Sequence, residues 1–85
     1  SRGQVNRVRV LLKVNGKEIP AGGVPLTVDG KEIGHVTRAA FSPELQAPLA
    51  MGYVRRESSA AGSVVSCGGV EAVVIAAPVA REPRS

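Results

Sequence analysis

The sequence is poor in the residues that build disulfides and metal sites. Its 85 residues include one cysteine and one histidine. A single cysteine cannot form an internal disulfide, and a metal site made of protein groups usually needs three or four ligands. The sequence therefore predicts no metal site, and a reducing compartment such as the cytoplasm fits it.

Long apolar runs and targeting signals are also missing. No run approaches the ~20 residues that span a bilayer, and no basic-then-apolar signal segment opens the chain, so we expect no membrane partner. A chain of 85 residues makes at most one small domain, in which we expect no deep catalytic cavity. Its abrupt start at Ser1 suggests a piece of a longer protein.

Aromatic side chains are nearly absent, with one Phe, one Tyr and no Trp. The apolar content comes mainly from Val and Ala, and the branched Cβ of Val favours extended backbone. Ten Gly and six Pro interrupt the chain at short intervals. Short strands joined by tight turns are therefore predicted, in a barrel or sandwich rather than a helical bundle.

The formal charge of +4 allows an anionic partner, such as a nucleic acid or an acidic protein surface. The cations mostly alternate with apolar residues or flank turns, so we interpret them as solvated faces and tails rather than a binding stripe. Nucleic-acid modules interleave basic residues with aromatics for stacking. The shortage of aromatics therefore disfavours a nucleic-acid partner.

Strand signals begin at Arg7–Val14, where apolar and charged residues alternate. Asn15-Gly16 then suits a two-residue hairpin turn, which predicts a short return strand at Lys17–Ile19 that ends before Pro20. Further strands are predicted at 24–28, 31–39, 49–54, 64–67 and 70–77, with hairpin turns at Asp29-Gly30 and Gly68-Gly69.

Two segments depart from simple strand patterns. Ile33 and Val36 are three residues apart, so burying both predicts a bulge near Gly34. Ser42 is a helix-capping residue followed by Pro43, which predicts one helical turn over Ser42–Leu45. The predicted fold is all-β: a small antiparallel Greek-key-like barrel of six or seven short strands with that one helical turn.

The segment from Gly34 to Val54 resembles the C-terminal barrel of the glycine-cleavage T-protein (aminomethyltransferase) superfamily. Its members carry a pattern close to G-x-V-T-S-x-x-x-S-P-x-L-x-x-x-I-A-L-G-Y-V. Arg38 and Ala39 depart from that pattern, which usually has Ser and often Gly there. The matching positions are Gly34, Val36-Thr37, Ser42-Pro43, Leu45 and the run Leu49-Ala50-Met51-Gly52-Tyr53-Val54.

The first residues suggest a branch of this superfamily. Residues 2–7 resemble the segment that follows a Lys-Gly-Cys-Tyr-x-Gly-Gln-Glu motif in the folate-binding branch of iron–sulfur-cluster assembly, the YgfZ type. That motif is not in this chain. A true glycine-cleavage aminomethyltransferase is the alternative.

The resemblance implies a larger protein whose earlier domains bind tetrahydrofolate, with this barrel packed on them and helping to close the site. Residues 1–6 would then end a linker from a missing N-terminal folate-binding region, residues 7–79 would form the barrel, and residues 80–85 a flexible tail. We expect no cofactor and no catalysis in the barrel alone. Its expected partner is the folate-binding part of its own parent chain.

Three arginines are the best candidates for contacts outside the barrel, because arginine pairs well with carboxylates and the glutamate tail of folate supplies them. Solvent exposure or an interdomain salt bridge is the alternative for each. These cofactor-binding candidates are Arg2, Arg7 and Arg38.

The remaining notable side chains are expected to be structural. His35 has no second imidazole or nucleophile beside it in sequence, Cys67 is typical of a small apolar filler at a strand end, and Ser42 of a turn cap. Phe41 and Tyr53 could stack on a pterin or a base, but one aromatic per strand is more typical of the core.

Two alternative functions remain open. One is a stand-alone basic β-barrel that binds nucleic acid. The other is a protein-interaction module that uses the strand at Leu49–Val54, because apolar residues on both sides of a strand indicate cover on both faces or a neighbouring domain.

Overall fold

The alternating segment at the start of the barrel forms its first strand, β1 (Arg7–Val14). Its inward positions Val10, Leu12 and Val14 are buried, whereas Arg7 and Lys13 are exposed. The computed structural model describes residues 7–78. The predicted linker at residues 1–6, the tail at 80–85 and the candidate Arg2 lie outside the described residues.

Five more strands complete a closed antiparallel barrel, in the order β1-β4-β3-β2-β5-β6. Because β1 pairs with β4 and β6 rather than with β2, the topology is not a simple meander. The predicted all-β barrel is confirmed. Its later strands are β2 (Pro25–Val28), β3 (Lys31–Ser42), β4 (Ala47–Arg55), β5 (Val64–Cys67) and β6 (Val70–Ala76).

The core is aliphatic and is contributed by every strand. Its fully buried side chains include Val10, Leu12, Leu26, Val36 and Val54. Each such side chain contributes roughly 1.5–3 kcal/mol when it leaves water, so a small barrel without core aromatics still closes on valine and leucine.

The β2–β3 connection is the two-residue hairpin that the sequence predicts. Asp29 and Gly30 have φ angles of 53° and 79°, as a type I′ turn requires. The predicted bulge is also present, because Leu26 pairs with Gly34 while Thr27 pairs with Glu32. Ile33 is thereby the extra residue, and both it and Val36 are buried.

The predicted return strand at Lys17–Ile19 is wrong. Residues 15–24 form a loop in which the Asn15 amide donates to the Glu71 carbonyl oxygen at 2.7 Å. The physical reason is that β4 and β6 already occupy both edges of β1. A hairpin partner would have no edge to pair with.

The helical turn predicted at Ser42–Leu45 is replaced by a turn over residues 43–46. The β3–β4 pairing continues to Ser42 and Ala47, so the chain must reverse within four residues, with Gln46 at φ 55°. Ser42 does act as a turn cap, because its Oγ accepts a hydrogen bond from the Leu45 amide at 3.3 Å. The described 3₁₀ turn lies instead at Arg56–Ser58.

Within residues 7–78, no helix is long and apolar enough to cross a membrane.

Candidate functional site

The outer surface of the adjacent strands β1, β4 and β3 collects the side chains with most binding potential. The antiparallel registers align residues of the three strands in rows, on the side opposite the buried core positions. We call this surface the β1–β4–β3 face. It consists of Arg7, Arg9, Leu11 and Lys13 from β1, His35, Arg38 and Ala40 from β3, and Leu49, Met51, Tyr53 and Arg55 from β4.

One row of the face joins a cation to two rings. The Arg9 Nη2 donates a hydrogen bond to the Tyr53 hydroxyl at 3.1 Å. The Arg9 guanidinium carbon lies 5.5 Å from the Tyr53 ring centroid, within cation–π range. The His35 and Tyr53 ring centroids are 6.0 Å apart, tilted by 41°. All three side chains are half-buried and contact one another. The row therefore forms a polar patch on the outside of the sheet.

The expectation that the two aromatics belong to the core is wrong. Tyr53 is half-buried on the outer face, and Phe41 is 48% exposed. In β4 the inward positions are occupied by Ala50, Gly52 and Val54, so strand alternation turns Tyr53 outward.

Next to this row lies a shallow apolar groove of about 390 Å³. Its apolar wall comes from Leu11, Leu49 and Met51, all half-buried. A second bulge in β3 shapes it: Val36 pairs with Gly52 and Arg38 with Met51, which leaves Thr37 as the extra residue. The Thr37 Oγ1 donates to the Met51 carbonyl oxygen at 3.0 Å. This bulge brings Arg38 to the groove.

The β1–β4–β3 face is strongly basic. It carries five cationic side chains, and exposed Glu32 lies near the start of the same strand β3. Four of these five side chains are exposed, as expected of a solvated face, and the fold gathers them on one side of the barrel. Alternation aligns three cations along β1, and pairing adds one each from β4 and β3: Arg7, Arg9, Lys13, Arg55 and Arg38.

Two of the three arginine candidates lie on this face. Arg7 is exposed opposite Arg55, and Arg38 is exposed beside the groove, in a different row. The alignment of Arg7 with Arg55, and of Arg9 with Tyr53, depends on the register between β1 and β4, which no local sequence signal provides. His35 lies half-buried on the strand surface opposite Tyr53, in agreement with the structural role expected for it.

Cys67 lies on β5, away from the face, and is 3% exposed. Burial raises the pKa of its thiol, which disfavours the thiolate that would react. Its predicted role as a buried filler is confirmed. Among the residues that the structure describes, no group of three or more His, Cys, Asp or Glu could hold a metal ion.

The sequence matches the glycine cleavage T-protein C-terminal barrel domain family over residues 7–83. The chain belongs to this family. The T-protein barrel motif that the sequence carries at Gly34–Val54 corresponds to most of β3, the following turn and most of β4.

Relatives of the T-protein barrel are aminomethyltransferases. The chain is 44% identical to that of Streptomyces avermitilis over 57 residues, which is 67% of this chain and 15% of that protein. It is 34% identical to that of Thermosynechococcus vestitus over 85 residues, which is 95% of this chain and 23% of that protein. These relatives are therefore several times longer than this chain.

A solved structure shares the fold. Glycine cleavage system aminomethyltransferase T from Bartonella henselae superposes with a TM-score of 0.71 at 35% identity, over 84% of this chain and 21% of that one. The comparisons give no support to the YgfZ-type branch.

Proposed function

We propose that the chain is the accessory C-terminal barrel of a glycine-cleavage aminomethyltransferase. In this proposal the preceding domains bind tetrahydrofolate and carry the transfer chemistry, and the barrel packs on them and helps to close the site. The observation that carries the proposal is the family match over residues 7–83, together with relatives named aminomethyltransferase that this chain covers only in part.

The β1–β4–β3 face supplies binding groups rather than reactive ones. Tetrahydrofolate has a pterin ring and a glutamate tail with carboxylates. The groove beside Arg38 is shallow, whereas a ring system is usually held in an enclosed pocket. The exposed guanidinium groups fit the carboxylates of the tail better, because arginine binds a carboxylate through two parallel hydrogen bonds. Arg7 and Arg38 are the proposed contacts in the barrel, with Arg2 ahead of it.

The iron–sulfur-cluster assembly branch is the second candidate, on one specific observation. Residues 2–7 resemble the segment that follows the Lys-Gly-Cys-Tyr-x-Gly-Gln-Glu motif in that branch. The coding sequence upstream of Ser1 decides between the two, since that motif would be encoded there. We place the parent protein in a reducing compartment such as the cytoplasm, where the free Cys67 remains a thiol.

Titration with tetrahydrofolate tests the proposal. We expect the 85-residue chain alone to bind it no better than millimolar, and the full-length protein that contains the barrel to bind it at micromolar concentration or below. Only the full-length protein should transfer the aminomethyl group. Tight binding by the 85-residue chain, or a full-length protein that does not bind tetrahydrofolate, would contradict the proposal.

A further inference from the structure

Strand β3 extends beyond the strand that pairs with it on one side. Its pairing with β4 continues to Ser42, whereas its pairing with β2 ends at His35. The loop before β2 covers one more position, because the Val36 amide donates to the Val24 carbonyl oxygen at 2.8 Å. Within the part of the chain that the structure describes, no backbone hydrogen bond reaches this edge of β3 from Ala39 onward. We call residues 39–42 the open β3 edge.

An unpaired strand edge is a template for another strand. Its backbone N–H and C=O groups can pair with any extended chain that approaches, so native proteins usually protect such edges with charged residues or proline. The open β3 edge has the sequence Ala-Ala-Phe-Ser, which contains neither. Its Phe41 side chain is 48% exposed. The edge is therefore suited to strand addition.

The side chains of the open β3 edge fit a second copy of the same edge. Ala39 and Phe41 lie on the inner side of β3, since their β4 partners Ala50 and Pro48 are buried. Ala40 is exposed on the outer side. When two edges pair antiparallel about Ala40, each Phe41 lies opposite Ala39 of the second copy. A large side chain then covers a small one twice, and the two Ala40 methyl groups permit close approach.

Charge selects the antiparallel direction. Arg38 precedes the open β3 edge, and exposed Glu44 lies in the turn just past its other end. Antiparallel pairing brings Arg38 of each copy to the turn of the other, where Glu44 supplies the opposite charge. Parallel pairing would instead place the two Arg38 side chains next to each other, and like charges in neighbouring strands are destabilising.

We propose that two copies of this chain pair through the open β3 edge, so that their β3–β4 hairpins form one antiparallel sheet of four strands. The two-fold axis passes through Ala40, and the same surface of both copies forms the interface. The earlier parts of β3, which pair with β2 in each barrel, extend in opposite directions from the axis. The inference is independent of the proposed function, since it needs only the 85 residues.

Sedimentation equilibrium of the 85-residue chain measures the pairing. The average mass should rise from 8.7 kDa at micromolar concentration toward twice that value at millimolar concentration. Hydrogen exchange followed by NMR locates the interface, because amides on the open β3 edge should exchange about tenfold more slowly in the dimer. A mass that stays at the monomer value would contradict the proposal. A dimer without this protection would assign the contact to another surface.

A lysine at the axis tests the register. Ala40→Lys places two like charges opposite each other and should leave the chain monomeric at every concentration. The matched control Ala61→Lys makes the same change at an exposed loop position, and should dimerise like the original chain. Both sites are exposed, so both variants should keep the circular dichroism spectrum of the original barrel. Equal dimerisation of the two variants would place the interface elsewhere.

Exchange of the two charges tests the direction. Arg38→Glu alone places carboxylates together across the interface and should weaken the dimer about tenfold. The double variant Arg38→Glu/Glu44→Arg restores opposite charges and should restore the affinity. Within one copy these residues lie at opposite ends of the open β3 edge, so recovery reports pairing between copies.

Two results would overturn this arrangement. An affinity that does not recover in the double variant would contradict antiparallel pairing. Protection of the same amides at micromolar concentration in a full-length protein that stays monomeric would assign the edge to the earlier domains of the parent chain instead of a second copy.

Discussion

Tyr53 illustrates how single positions in this barrel serve the surface rather than the core. Strand alternation turns its ring outward, and its register partners Arg9 and His35 hold it on two sides. The hydroxyl is satisfied by a cation, and the ring face is covered by the same guanidinium. The side chain therefore stiffens the β1–β4–β3 face next to the groove.

Cys67 represents the opposite case, a potentially reactive group that burial makes inert. Burial raises the pKa of its thiol. At pH 8 the folded chain should therefore react with iodoacetamide at about one tenth of the rate of the chain unfolded in urea, or more slowly. The rate is measured by mass spectrometry. Equal rates would show that the thiolate is accessible in the folded barrel.

The same shift gives a pH dependence. The pKa of the Cys67 thiol is higher in the folded chain than in the unfolded chain. Its contribution to the free energy of unfolding is therefore complete below the pKa of the unfolded chain, and it is lost as the pH rises through the pKa of the folded chain. The free energy of unfolding should therefore fall at alkaline pH. In Cys67→Ala this part of the decrease should be absent, which separates it from the titration of other groups.

At the level of elements, the β3–β4 pair is the best-determined part of the fold, and two glycines allow its close approach. A Cβ at Gly34 would overlap the Tyr53 carbonyl oxygen, and a Cβ at Gly52 would overlap the His35 carbonyl oxygen. Both obstacles are backbone atoms of the paired strand, which cannot move without disturbing the ladder. These motif glycines therefore maintain strand spacing.

We predict that Gly52→Ala lowers the free energy of unfolding by about 3 kcal/mol or more, at the upper end of typical overpacking costs. Urea denaturation monitored by circular dichroism measures it. Gly16→Ala is the matched control, since its Cβ would meet only a Val70 side-chain carbon, at 3.2 Å. That variant should cost about 1 kcal/mol or less. Equal losses of stability in the two variants would contradict the role of Gly52 in strand spacing.

Local signals predicted the elements whose causes are local. The alternation of Arg7–Val14, the positive φ angles of Asp29-Gly30 and the bulge beside Gly34 all follow from short-range rules. The return strand at Lys17–Ile19 failed because the edges of β1 are taken by strands distant in sequence. A turn signal cannot detect such competition.

The candidate site was less predictable than the fold for the same reason. Sequence alternation already aligns Arg7, Arg9 and Lys13 on one side of β1. Placing Arg55 opposite Arg7 required the β1–β4 register, and bringing Arg38 to the groove required the bulge at Thr37. Long-range pairing therefore turns an alternating charge pattern into a basic face.

For the whole molecule, barrel closure depends most on the β2–β5 junction. These strands pair only through Leu26–Cys67 and Thr27–Ser66. Beyond these pairs, Val28 and Val64 help to line an open groove of about 350 Å³. Opening here would leave a sheet with β4 and β1 at its centre and β2 and β5 at its edges.

The barrel order places this junction directly across from the β1–β4 pair, which is joined through seven residue pairs. Native-state hydrogen exchange measured by NMR should therefore give the amides of β2 and β5 opening free energies below those of β1 and β4, by about 1 kcal/mol or more. Uniform protection of all six strands would show that the barrel opens as one unit and would contradict a weak point at the β2–β5 junction.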